Sequence, residues 1–347
     1  MLSGKELILS TKEYASENPR ASWAHTVSTF LILIASLTGT LLVPTFIGRL
    51  ACSIFAGLIV IRSFIIYHDY QHHTILHNSK AAKIMMTIFG WYILAPASIW
   101  KRSHDYHHQH NSKLFSADIG SYPIVTKDKF QSMDRKQRLG YLAIRHPLTM
   151  LFGHFSMFIW GMCGRSFLSN PRKHLDSLLA LLLYATASIL IWRFFGFEGW
   201  LLAVLIPYFV GHAMGAYLFY AQHNFPGVVF KDRCGWTYEG AAMESSSYMR
   251  MSPFMQWCTG NIGFHHIHHL NCRIPFYKLP LAMQRIRELQ NAKITTLKPK
   301  DILACLRLKV WDPETQQMIG YREIRLSRPQ LVPADRVAPV VPGARRR

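Results

Sequence analysis

The chain has 347 residues, of which 50% are hydrophobic, 13% are aromatic and only 17% are charged, and its formal net charge is +20 with histidine neutral. Because the apolar residues lie in long blocks, this composition argues against soluble domains and favours one membrane unit. Basic loops beside apolar blocks are the usual pattern of membrane proteins, so the positive charge does not indicate a nucleic-acid surface and no nucleic-acid partner is expected.

Taken from the first residue onward, the apolar blocks predict four membrane-spanning helices in two hairpins. A polar segment of residues 1–22 precedes the first block. Each block is long enough, at about 1.5 Å per residue, to cross most or all of a hydrocarbon core of about 30 Å. The predicted spans are residues 23–46, 50–67, 177–195 and 199–220.

Between the two hairpins lies a shorter apolar stretch, Ile84–Trp100, which Gly90 and Pro96 interrupt. With about 17 residues it is at the lower limit for a span. Histidine-rich segments flank it on both sides, and we therefore interpret it as re-entrant or interfacial. A polar and basic loop follows.

An even number of spans places both termini and the long basic loop on one side of the membrane. The excess of lysine and arginine makes that side cytoplasmic. The predicted fold is therefore an all-α membrane protein with a cytoplasmic helical cap, located in the inner membrane of a bacterium. Residues 23–290 form the main domain. Residues 291–347 are predicted to be a basic C-terminal extension, with a disordered tail from Arg328.

Histidines provide the clearest functional signal. The pattern HxxHH occurs at 104–108 and again at 265–269, whereas chance would produce it roughly 0.05 times in a chain with this histidine content. Positions i, i+3 and i+4 share one face of a helix, so each set of three imidazoles points in one direction. A shorter box, His68 and His72, ends the second span, and His73 competes with His72 for its second place. The histidines of the three boxes are His68, His72, His104, His107, His108, His265, His268 and His269.

Imidazole nitrogen suits iron, copper, zinc and nickel, so the ligand type leaves the metal open. Eight box histidines exceed the three or four protein ligands of a zinc site, and they predict two metals. Asp69 and Asp105 each follow a box histidine directly, where a carboxylate can orient a neighbouring imidazole, or can equally be a solvated charge at a helix end.

The boxes HDYQH, HDYHH and HHIHH, with AQHNF between the second and third, resemble those of the membrane fatty acid desaturases. The run SSYMRMSPFMQWCTGNIGFHHIHHLNCRIPFYKL is similar to the bacterial acyl-lipid branch, and the resemblance covers roughly residues 25–290. It implies two iron ions, O2 as co-substrate, and a cis double bond introduced into a fatty acyl chain of a membrane lipid or acyl thioester. It also implies that His223, in AQHNF, is a ninth metal ligand, and it favours His72 over His73.

Two other functions stay open on the histidine pattern. One is a di-iron hydroxylase or ketolase acting on a carotenoid or sterol, and the other is a non-catalytic metal or haem transport protein. The six cysteines form no CxxC pair, and no Gly-rich dinucleotide fingerprint follows a strand. Electrons for an oxidation would therefore come from an external donor, either ferredoxin-like or a cytochrome.

Overall fold

The computed structural model describes residues 2–114 and 120–326, and the predicted disordered tail from Arg328 lies outside them. Helices dominate the described part of the chain. The α-helices, in order, are α1 Gly4–Ser10, α2 Pro19–Leu42, α3 Phe46–Gln71, α4 Lys80–Tyr92, α5 Ala97–His110, α6 Lys127–Ser132, α7 Arg135–Ile144, α8 Pro147–Leu151, α9 Arg165–Ser169, α10 Leu175–Trp200, α11 Ile206–Ala221, α12 Tyr238–Ser245, α13 Pro253–Cys258, α14 His265–Leu270, α15 Leu279–Arg285, α16 Pro299–Arg307 and α17 Tyr321–Leu326. The strands are β1 Tyr248–Arg250, β2 Ile294–Thr296, β3 Leu308–Asp312 and β4 Gln317–Gly320.

Three stretches of helix in the described residues are long and apolar enough to cross a membrane. They are α2, α3 and the continuous stretch Leu175–Ala221. Of the apolar window in α3, 61% is buried inside the protein, against 28% in α2 and 6% in the third stretch. Helix α3 is therefore central, and the other two turn most of their apolar side chains outward.

The stretch Leu175–Ala221 reverses direction at Gly196, which has φ +68° and leaves the helical conformation. Asp176, near its beginning, bonds Ser98 of α5, and His223, just past its end, lies beside His265. Glu198 pairs instead with Arg49, near the other end of α3. The reversal therefore lies in the short gap between the predicted spans 177–195 and 199–220, with one end of the stretch at the start of α5 and the other at the histidines.

Helices α4 and α5 form a bent pair, with 91° between their axes. This break falls within the stretch that the sequence predicts to be re-entrant, and Leu94 there adopts φ +57°. A helix that ends inside an apolar bundle leaves carbonyls without water, so each needs another donor. Four consecutive carbonyls each accept a side-chain hydrogen bond: Tyr208 donates to Tyr92, His212 to Ile93, Cys163 to Leu94 and Tyr67 to Ala95.

The N-terminus of α5 receives its cap from another helix. Its preceding residue, Pro96, has no side chain that can cap it. Asp176 of α10 accepts instead from the backbone N–H of Ser98 at 3.1 Å and from its hydroxyl at 2.6 Å. A carboxylate there also complements the positive end of the helix dipole. Side chains of α3, α10 and α11 thus bond the backbone between α4 and α5 or the start of α5, and together they fix the direction of α5.

Helices α3 and α11 approach closely through glycines. A Cβ on Gly57 would lie 2.6 Å from Val210 and 2.9 Å from the carbonyl of Pro207. Small residues allow membrane helices to approach in this way. Residues Leu201–Leu205 are wound as π-helix, in which an N–H bonds the carbonyl five residues earlier. Pro207 has no N–H to give to the carbonyl of Leu202, and that carbonyl accepts from the hydroxyl of Ser53 on α3 instead.

Both ends of the described chain pack on the rest of the protein, and the division into residues 1–22, 23–290 and 291–347 stays a prediction. Helix α1 buries Leu7 and packs on α12. Strand β2 pairs in parallel with β1, in the register Tyr248 to Ile294. Strands β3 and β4 form an antiparallel pair that buries Trp311. Helix α15 ends at Arg285, and a 3-10 turn follows.

We predict that Gly57→Ala destabilises the bundle by about 1–3 kcal/mol, the usual cost of overpacking a tight contact. Gly215→Ala on α11 is the matched control, because its Cβ meets no described atom within 4 Å. That substitution should be neutral or stabilising by up to about 1 kcal/mol, since alanine favours helix. Thermal unfolding in detergent measures both, and equal melting temperatures would contradict the proposed close contact.

Candidate metal centre

Four segments bring histidines to one end of the bundle. The first box lies at the end of α3, where His68 is in the last turn and His72 is the C-cap. The second box occupies the last two turns of α5, and the third box forms most of α14. His223 lies one residue past the C-cap of α11, Gln222. All nine histidines predicted as metal ligands converge there, and eight of them are buried, whereas His223 is partly exposed.

The nine imidazoles form two separate groups. Within each group the candidate ligand atoms lie within 4.8 Å of one another. The HxxHH spacing divides each box between the groups, because its i and i+4 histidines enter one group and its i+3 histidine enters the other. The five-histidine cluster consists of His68, His72, His104, His108 and His268, and the four-histidine cluster consists of His107, His223, His265 and His269.

In the four-histidine cluster the Nε2 atoms form a closed ring. Its four edges are 3.1, 2.9, 3.2 and 3.2 Å, in the order His107, His223, His265, His269 and back to His107. In a flat square with such edges the centre lies about 2.2 Å from each corner, close to the length of a metal–imidazole bond. This ring therefore fits a metal ion.

The five-histidine cluster has the same spacing. Its Nε2 atoms follow one another at 2.9 Å from His68 to His104, 3.1 Å from His104 to His108, and 3.0 Å from His108 to His268. The fifth member, His72, has a buried Nε2 without a hydrogen-bond partner in the described structure. A buried nitrogen of this kind is costly unless something binds it. A metal ion would do so.

Neighbouring groups fix the imidazole tautomers. His223 Nδ1 lies 3.1 Å from the carbonyl oxygen of Ser245, which can only accept, so Nδ1 carries the proton and Nε2 is left with its lone pair. Likewise, His68 Nδ1 lies 3.1 Å from the buried carboxylate of Asp69, which also accepts from the N–H of Phe276 at 2.7 Å. His107 Nδ1 contacts the hydroxyl of Ser121 at 2.5 Å. Such partners orient metal-binding histidines.

Burial keeps these imidazoles neutral. It lowers the pKa of His223 to about 4, and it lowers the pKa of His265, His268 and His269 well below the usual value, with nearby imidazoles lowering the last three further. At neutral pH these side chains therefore offer lone pairs rather than positive charge, as a metal site needs.

The structure separates the alternatives that the sequence left open. His72 lies in the five-histidine cluster, whereas His73 is exposed and its ring faces His77. Asp69 contacts His68, but Asp105 bonds Lys101 at 2.8 Å and its side chain is 40% exposed. Of the two roles left open for Asp105, this contact fits a charge at the surface of the helix.

The remaining histidines have partners outside the two clusters. His110 stacks on Tyr106, His174 contacts Ser98, and His154 contacts His212. His266, off the ligand face of its helix, contacts the carbonyl of Leu289. The contacts of Ser121, Ser245 and Phe276 with the centre were missed in the sequence, since nothing in their local pattern indicates them.

Comparison with known proteins gives a consistent result. The family model described as fatty acid desaturase matches residues 44–297. A fatty acid desaturase of Bacillus subtilis (strain 168) is 30% identical over 286 residues, which cover 81% of this chain and 80% of that protein. The sn-1 oleoyl-lipid 12-desaturase of Synechocystis sp. is 22% identical over 279 residues, covering 80% and 79%. The chloroplastic sn-2 acyl-lipid omega-3 desaturase (ferredoxin) of Helianthus annuus is 25% identical over 236 residues, covering 62% and 50%.

We predict that His72→Ala weakens metal binding by more than about tenfold, since even the loss of a partner to a ligand has an effect of that size. His73→Ala, its neighbour outside the clusters, should keep the metal content of the parent protein. Elemental analysis of both purified variants measures the difference. Loss of metal from His73→Ala alone would reverse the assignment.

Proposed function

The chain belongs to the fatty acid desaturase family, which makes it an oxidoreductase that acts on fatty acyl chains, and on that premise we propose that its two histidine clusters hold two iron ions. The observation that carries this proposal is the arrangement of nine imidazoles in groups of five and four, with Nε2 separations of 2.9–3.2 Å. Zinc is redox-inactive and takes four ligands in structural sites, so iron suits these clusters and an oxidation better.

The reaction requires a metal because no protein side chain can attack an unactivated C–H bond, and the iron pair supplies the activation of O2. Per turnover, two adjacent methylenes lose two hydrogen atoms. O2 takes these with two further electrons and two protons, and two waters leave. The double bond remains in the acyl chain.

The chain's own residues prepare this chemistry. His68, His72, His104, His108 and His268 would hold one ion and His107, His223, His265 and His269 the other, so the second ion would have one protein donor fewer. His223 also lines a cavity of about 20 Å3 together with Ser121 and Arg145. Such a cavity can hold about one water molecule. The other eight histidines are buried, so bulk water is kept from the centre.

We propose a membrane lipid as the carrier of the acyl chain. The relative from Synechocystis is named for an oleoyl lipid, and the relative from Helianthus annuus for an acyl lipid. Helices α3 and α11 end at the clusters, and we propose that the acyl chain follows a route along the outer, apolar surface of this bundle from the bilayer to the metals. Position along that route would select the methylenes.

We propose further that electrons come from a separate acidic protein of the ferredoxin class. The sequence contains no CxxC pair for an iron–sulfur cluster. The printed name of the Helianthus annuus relative specifies ferredoxin. A chain of net charge +20 would attract such an acidic partner.

The proposed topology has four spans, with the histidine end of the bundle and both termini in the cytoplasm of a bacterium. We predict that alkaline phosphatase fused after Gly196 is active, because the enzyme folds only outside the cytoplasm, and that a fusion after Arg347 is inactive. Immunoblots of both fusions control for expression. Activity of the fusion after Arg347 would mean that the number of crossings is odd, with the bent pair α4 and α5 as the extra span.

The function itself is tested by lipid analysis of bacteria that express the protein. We expect new cis double bonds by mass spectrometry, and His223→Ala should abolish them and lower the iron content, because one of only four imidazoles is lost. His110→Ala is the matched control and should keep both. New oxygen atoms in the lipid would indicate a hydroxylase instead. Retained iron and double bonds in His223→Ala would exclude this residue as a ligand.

A further inference from the structure

The two faces of α5 differ in character. One face carries the second histidine box into both clusters. The other face lines an open surface groove of about 390 Å3, and the groove residues include Lys101, Arg102 and Asp105. Because a helix with its side chains is about 10–12 Å across, this groove is separated from the clusters by little more than one helix.

A second element extends this surface. Arg273, which follows the third box, donates to the backbone carbonyl of His73 at 2.8 Å, and both residues are exposed. His73 follows His72, whose ring lies 5.0 Å from that of His104 on α5, so Arg273 and the basic residues of α5 belong to one region of the surface. We call Lys101, Arg102, His73 and Arg273 the basic patch.

The basic patch lies over the least buried part of the five-histidine cluster. His72 and His104 are each 8% exposed, more than the other three members. His72 is the chain neighbour of His73, and His104 lies on α5 beside Lys101 and Arg102. An electron that enters through this patch therefore reaches the five-histidine cluster at its two most exposed members.

The charge of the patch is one-sided. Asp105, the carboxylate in the adjoining groove, offsets the charge of Lys101, with which it pairs at 2.8 Å, so Arg102 and Arg273 supply the excess positive charge of the patch. Such a surface attracts an acidic partner and accelerates association by steering. An anionic lipid headgroup would also be attracted, but the position over the least buried histidines of the five-histidine cluster favours an electron carrier.

We propose that the basic patch is the docking surface for a small acidic one-electron carrier of the ferredoxin class. Two reduced carriers dock in succession for each O2 consumed, and each leaves oxidised after giving one electron, while the two protons come from water. This inference rests on the proposed desaturase function.

The test is the binding of a plant-type [2Fe–2S] ferredoxin to the purified holoprotein in detergent. Charge reversal by Arg102→Glu with Arg273→Glu should raise the Kd by more than about tenfold and flatten its dependence on salt. The matched control is Arg135→Glu with Lys136→Glu, a reversal of equal charge at two exposed residues of α7. The control should bind ferredoxin as the parent protein does.

Two measurements distinguish a failure of the docking surface from a failure of the proposed desaturase function. The iron content should be unchanged in both double variants. After reduction by dithionite, both should form the same amount of product from O2 as the parent protein, because no carrier is needed. If dithionite yields no product from the parent protein, the proposed function fails, whereas the binding result still decides the docking surface.

The proposal is overturned if the patch variant and the α7 control bind ferredoxin equally. It is also overturned if the parent protein does not bind ferredoxin at low salt. If the patch variant keeps its affinity for ferredoxin but loses binding to vesicles of anionic lipid, the surface recognises headgroups and the proposal is wrong.

Discussion

The convergence of nine neutral imidazoles is the constraint on which this structure depends. Their Nε2 lone pairs point at two common centres, an arrangement that is repulsive unless a cation occupies each centre or protons are shared. Burial disfavours protonation, and fixed donors such as Nδ1 of His223 decide which nitrogen is free. The backbone must therefore hold the imidazoles in place, and this requires that the helices that carry them have a fixed direction.

The two clusters are mechanically coupled through α5 and α14. Each of these helices supplies both clusters, with its i and i+4 histidines in one and its i+3 histidine in the other. A rotation of α5 would therefore disturb both centres together. Its direction depends on the break at Tyr92–Pro96, where four carbonyls are tied to side chains of α3, α11 and the segment between α8 and α9, and on Asp176 at its N-terminus. These bonds exist in an apolar environment, where each is costly to lose.

The sequence predicts much of the centre, because ligand chemistry and helical periodicity both act over a few residues. The three boxes and their shared face could be inferred from spacing, and the reversal near Gly196 from the gap between the predicted spans 177–195 and 199–220. The choice between His72 and His73 depends on where α3 ends, a matter of one residue that periodicity does not resolve. The contacts of Ser121 and Ser245 join distant segments. The docking of β3 and β4 onto the body was missed because their short alternation is a weak signal.

The order of the histidines along the chain has a consequence for biogenesis. Each cluster takes a member from α14, the last of the contributing segments, so neither set of donors is complete until residues beyond His269 have left the ribosome. By then α2, α3, α10 and α11 have already been synthesised and can enter the bilayer. A metal ion held by these donors would therefore be bound late in the maturation of the protein, after the apolar helices have been made.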